Sequence, residues 1–253
     1  MRTISPKKSV FEVQFFPILE HALVEAEAVK ARTRNSFPDW AKNPSTVILM
    51  NKERRERMIF ESGKISLDLD RFMSHDDRTP DLIASMLDAF ANLKSEKLLR
   101  VGLREWFAIE VDGLSEQKIF QKLRNRLFQK DTLELGLGSL PEDMAIVLEW
   151  DSCKSWYHRR IEFGAMLKLE WSRRVQYFDL TIEKNDHVEK KWKDGLEESL
   201  PDAFLFMDVD TYWLSNPPQG SRPEKEIDMK EFFSHIERLN VDVTKRLFEI
   251  VRN

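Results

Sequence analysis

Hydrophobic and polar residues alternate over three stretches of the chain, and each alternation predicts a strand. In the first, Phe11, Val13 and Phe15 fall on one face, while Val10, Glu12, Gln14 and Phe16 fall on the other. This is the period of two that a half-buried strand requires, and Pro17 closes it. The second, Leu98–Val111, puts Leu99, Val101, Leu103, Phe107, Ile109 and Val111 on a face interrupted by Glu105. Its other face carries Arg100, Gly102, Arg104, Trp106, Ala108 and Glu110. The third, Ala203–Leu214, sets Leu205, Met207, Val209, Thr211 and Trp213 against Phe204, Phe206, Asp208, Asp210 and Tyr212.

Apolar residues three and four apart predict helices elsewhere. One runs from 18 to 34, through Leu19, Ala22, Leu23, Ala26 and Val29. A second follows Thr79, a cap residue with Pro80 at the first helical position, and carries Ile83, Met86, Leu87 and Phe90. Ser115 caps a third, whose apolar side is Ile119, Phe120, Leu123, Leu127 and Phe128. Asp228 or its neighbours start a long terminal helix bearing Phe232, Phe233, Ile236, Leu239, Val243, Leu247 and Ile250.

Between these lie weaker signals. Residues 35–44, with two prolines, read as a loop, and Thr46–Met50 and Arg57–Asp70 as a meander turning at Ser62-Gly63. Residues 133–141 read as a loop. Met144–Trp150, Tyr157–Trp171 with a break near Gly164, and Val175–Glu183 have strand composition. Residues 185–199 form a weak helix or exposed connection, and 215–228 a linker. Strands joined by short turns, with helices added at the ends, define an α+β fold. Its expected form is a largely antiparallel sheet with amphipathic helices on one face. It makes either one compact domain or two pseudo-related halves, 1–113 and 114–253.

Composition narrows the function classes. Forty Lys and Arg against 44 Asp and Glu leave a net charge of −4, which argues against a broad nucleic-acid footprint. The local basic run of Lys118, Lys122, Arg124, Arg126 and Lys130 keeps nucleic acid as one reading. A single cysteine, Cys153, permits no intrachain disulfide and fits a reducing compartment. No stretch approaches the roughly 20 apolar residues of a membrane span, and the basic start lacks an apolar core of the signal-peptide kind. The expectation is a cytoplasmic protein with no membrane partner.

Candidate chemistry centres on carboxylates and aromatics. Asp208 and Asp210 share one strand face about 7 Å apart, and Arg100 and Arg104 occupy the matching face of the other strand. Charges on a half-buried face need partners, so an ion-pair network of these four is expected. The competing reading takes Glu149, Asp151, Asp208 and Asp210 as magnesium ligands of a phosphoryl-transfer enzyme. Gly138-Ser139 upstream adds a nucleotidyltransferase flavour to it, but Leu140-Pro141 stands where a helix should begin. A dehalogenase-type Asp-x-Asp fails because Tyr212 replaces its Thr or Val. The five histidines are scattered without metal-ligand spacing, and no Gly-rich phosphate loop exists. The aromatics Trp106, Trp150, Trp156, Trp171, Tyr212 and Trp213 are candidate interface residues.

The segments Phe11-Glu-Val-Gln-Phe-Phe16, Arg100-Val-Gly-Leu-Arg104 and Met207-Asp-Val-Asp210, followed by the terminal helix, resemble a sporadically distributed family of uncharacterised prokaryotic proteins. That family carries an Arg-Ile-Gly-Leu-Arg-type strand and a late Leu-Asp-Ile-Asp-type strand. Glu105-Trp106 and the segment 185–200 depart from its pattern. The resemblance implies no activity, and its patchy occurrence implies mobile or defence-associated settings, accessory CRISPR components among them. The sequence therefore leads to the expectation of a non-catalytic accessory or adaptor protein that binds a protein partner and needs no cofactor.

Overall fold

A computed structural model describes residues 4–17, 19–71, 78–93, 97–111, 113–128, 145–150, 157–176, 194–195, 200–215 and 228–252. Nine strands form one antiparallel sheet: β1 (Lys8–Phe15), β2 (Asp39–Asn43), β3 (Thr46–Asn51), β4 (Glu56–Glu61), β5 (Lys64–Asp70), β6 (Leu98–Ile109), β7 (Ala145–Trp150), β8 (His158–Leu167) and β9 (Ala203–Leu214). Five helices accompany them: α1 (Leu19–Arg32), α2 (Thr79–Asn92), α3 (Glu116–Leu127), α4 (Lys168–Gln176) and α5 (Met229–Arg252). The strand order is β2-β3-β4-β5-β1-β6-β9-β8-β7. The fold class is α+β, with the long terminal helix in place.

This order repeats in part. A strand, a helix, four strands and a helix (β1, α1, β2 to β5, α2) are followed by a strand, a helix, three strands with α4 inserted before the last, and a helix (β6, α3, β7, β8, α4, β9, α5). In each unit the first strand lies beside the last strand of its meander, and the two first strands, β1 and β6, pair antiparallel at the centre. Grouped this way the second run begins at β6, whereas the two halves 1–113 and 114–253 part just after that strand.

Register assigns the two faces. Phe11, Val13 and Phe15 align with Leu67, Ile65, Leu103 and Val101 on the face covered by α1, α2, α3 and α5. There, two apolar clusters fill the space between sheet and helices. The other face carries the charged residues and the helix α4.

Several local expectations need correction. Residues 39–43, expected in a loop, form the edge strand β2. Pro38 and Pro44 bracket it, and Asn43 Oδ1 accepts the Ser45 N–H at 3.0 Å to make the hairpin turn. The strand expected over Tyr157–Trp171 ends at Leu167, and Lys168–Gln176 is helical, so the strand expected from Val175 does not begin there. Glu170 reaches back to accept the Leu167 N–H at 3.0 Å, and Trp171 turns inward to full burial. Gly164 causes no break: it stays in β8, directly opposite Phe206. Thr79 is the first residue of α2 and does not cap it; its hydroxyl instead accepts from Arg71. The segments 133–141 and 185–193 and most of 215–228 lie outside the described residues.

Candidate functional site: the charged sheet face

Arg104 sits directly across from Asp210, and Trp106 from Asp208, yet the ion pairs run diagonally. Arg104 Nε donates to Asp208 Oδ1 at 2.8 Å, and its Nη2 donates to Oδ2. Arg100 Nη2 lies 3.0 Å from both oxygens of Asp210, and Arg100 Nη1 donates to Glu12 on β1. Gly102 makes the longer reach feasible, because it stands between Arg100 and the residues opposite without a side chain. The Arg100 guanidinium also lies 4.5 Å over the Tyr212 ring, against which His158 stacks at 5.3 Å.

The network extends past these four residues. Arg174 of α4 donates to Asp208 Oδ2 at 3.3 Å and to Glu162 Oε1 at 3.2 Å. Arg160 bridges Glu162 at 3.3 Å and Glu149 on β7 at 3.4 Å. On the other side of β1, Lys8 and Arg57 hold Asp68 at 2.7 and 2.6 Å, with all three side chains buried. Opposite charges thus alternate from β4 across the sheet to β7.

The electrostatics follow from that alternation. The hydrogen bond to Asp208 raises the pKa of Arg104 above its ordinary value, against the opposing effect of burial. Burial raises Glu162 and Asp68, but the neighbouring cations outweigh it and hold both carboxyls below the usual range: Arg174 and Arg160 for the first, Lys8 and Arg57 for the second. Asp210 moves the other way. Burial, with Asp208 and Glu12 close by, pushes it up despite Arg100 and Arg104.

The magnesium reading fares poorly against this geometry. Both oxygens of Asp208 and both of Asp210 accept from guanidinium groups, so a cation would have to displace arginines from their lone pairs. Glu149 lies two strands away from Asp208 and Asp210, exposed and bridged to Arg160. Asp151 lies outside the described residues.

The aromatics need a larger correction. Trp106 and Trp171 are buried, not presented to a partner, and Trp213 is buried on the helix-covered face. Trp171 meets the Trp106 ring at 5.8 Å and 81°, and it packs edge-on against Phe204 and Phe206 at 5.8 and 5.7 Å. These residues and Leu200 form a third apolar cluster, which seats α4 on the charged face. Tyr212 is half-buried in its stack, Trp150 on β7 is exposed, and Trp156 lies outside the described residues. Lys118, Lys122, Arg124 and Arg126 lie on α3; Lys122 donates to the Arg252 carbonyl at the end of α5, and Lys130 is outside the described residues.

Four further residues escaped the sequence reading. Arg174 belongs to a helix mistaken for strand, although Glu170 early and Arg173-Arg174 late fit the helix dipole. Glu162 and Arg160 face the network only once β8 is placed beside β9. Glu105, the one acid in the apolar alternation of β6, is fully buried on the helix-covered face; its interruption of that pattern was the available signal.

No known family model matches this chain, and no curated protein matches its sequence. Among the described residues, no helix is long and apolar enough to cross a membrane.

Proposed function

We propose that the protein is a non-catalytic binding module that docks a protein partner at the β7 end of its sheet. The observation that carries this is the exposure of large apolar side chains on and beside β7: Val147 on the charged face of that strand, Trp150 on its other face, Leu167 at the end of β8 and Leu169 at the start of α4. Among the described residues β7 is the last strand in the sheet order, and Val147 is 46% and Leu169 60% exposed. An outermost strand with exposed apolar side chains offers a partner both backbone and side-chain contact. Support also comes from the charged face, whose carboxylates are committed to arginines and so serve the fold. The resemblance noted from the sequence makes another component of a prokaryotic defence system the first partner to seek.

Photo-crosslinking in the native host tests the reading. A crosslinkable residue at 147 or 169 should capture one discrete protein, whereas the same residue at the exposed positions 24 and 250 should not. V147E/L169E should abolish capture from a crosslinker at 150 while leaving thermal unfolding unchanged. Equal capture at all positions, or none at 147 and 169, would overturn it.

A further inference from the structure

Helix α5 lies across both apolar clusters of the helix-covered face. Phe232, Phe233 and Ile236 belong to one cluster, and Val243, Leu247 and Val251 pack in the other. Between these sets it buries Asn240, and within the second it buries Thr244, each 0% exposed. Asn240 Nδ2 donates to Glu105 Oε2 on β6 at 2.9 Å, and Ser9 Oγ on β1 donates to Glu105 Oε1 at 3.3 Å. Both partners are neutral.

Charged groups stand one residue further out. Ser9 Oγ accepts from Arg71 Nε, just beyond β5, at 3.3 Å, and Arg71 pairs with Glu237 of α5 at 3.6 Å. On the other side, Asn240 Oδ1 accepts from Thr211 Oγ1 of β9 at 2.8 Å, and Thr211 accepts from Arg159 Nε of β8 at 3.0 Å. Among the described residues no cation touches Glu105, so a carboxylate in this seat would be buried without a counter-ion in contact, which costs several kcal/mol. A carboxylic acid can instead donate its own proton to Ser9 Oγ, reversing that bond, while Asn240 Nδ2 still donates to Oε2.

We infer that the docking of α5 is governed by the proton on Glu105: the acid seats the helix, and the carboxylate loosens it. Only by lifting Asn240 and its turn away can the ionised group reach water. Burial pushes the Glu105 carboxyl up to about 8, with Glu237 adding to the rise and Asn240, Arg71 and Ser9 opposing it. The change in docking strength therefore falls between the ordinary carboxylate range and about 8, which includes neutral pH.

Hydrogen exchange of the α5 amides, corrected for intrinsic rates, reads this directly. Protection around Asn240 should fall about tenfold or more between pH 6 and pH 8 in the native chain. In Glu105→Gln it should stay level. The same fall in both proteins would overturn the inference. Should the variant not fold, a carbon-13 titration of the native glutamate carboxyls decides: one carboxyl titrating well above the ordinary range supports it, and none doing so overturns it.

Discussion

The guanidinium of Arg100 lies folded over Gly102, so close that a β-carbon added there would stand 3.1 Å from Arg100 Cζ and 3.2 Å from Nη2. The same β-carbon would stand 3.2 Å from Cβ of Tyr212. The absence of a side chain at 102 is what lets an arginine reach Asp210 across four positions of register.

Gly102→Ala should therefore act through Arg100. The added methyl displaces the guanidinium from Asp210 and Glu12, at an expected cost of about 1–2 kcal/mol in urea unfolding. In an Arg100→Met background the same change should cost much less, since the displaced group is gone. Equal costs in both backgrounds would show that Tyr212 or the backbone bears the strain.

The Arg104–Asp208 pair predicts non-additivity. Asp208→Asn leaves Arg104 without its bonded carboxylate and Arg174 with Glu162 alone, and should cost about 2 kcal/mol, discounted because both arginines are partly exposed. Arg104→Met should cost a similar amount. The double variant should cost at least about 1 kcal/mol less than the sum, measured by a double-mutant cycle in urea.

Trp171 anchors α4. Trp171→Ala removes a fully buried ring from a cluster with Trp106, Phe204 and Phe206, and should cost about 3–5 kcal/mol. Trypsin should then cleave native-state protein at Arg173 or Arg174 faster than the parent, because α4 loses its seat.

Much of the architecture could be read from the chain because burial writes its period directly into strands such as β1, β6 and β9. The diagonal pairing of Arg100 and Arg104 with Asp210 and Asp208 was less accessible. It depends on register and on Gly102, neither of which a single strand reveals. The fate of Trp106 shows the same limit. An aromatic on the polar side of a strand reads as exposed until a helix distant in the sequence is laid over it, and α4 was hidden by strand-like composition.

Two carboxyls predict opposite pH limbs. Asp68 is held below its ordinary 3.8, so its contribution is present above that value and lost as pH falls through the folded pKa. The stability gap between parent and Asp68→Asn should be about 2–4 kcal/mol at neutral pH and shrink below pH 4. Glu105 is raised from 4.5 to about 8, so the folded state holds a proton that the unfolded state has released. Stability then falls as pH rises across that interval, and Glu105→Gln should remove the decline. Urea unfolding at fixed pH steps from 3 to 9 checks both limbs.

The central claim is that Asp208 and Asp210 belong to arginines and serve the fold, leaving the exposed β7 end to meet a partner. Calorimetric titration of the purified chain with magnesium and with manganese tests it most directly. The account predicts no saturable heat and no shift in unfolding temperature. Saturable binding that disappears in Asp208→Asn and Asp210→Asn would contradict it and return the pair to metal-dependent chemistry.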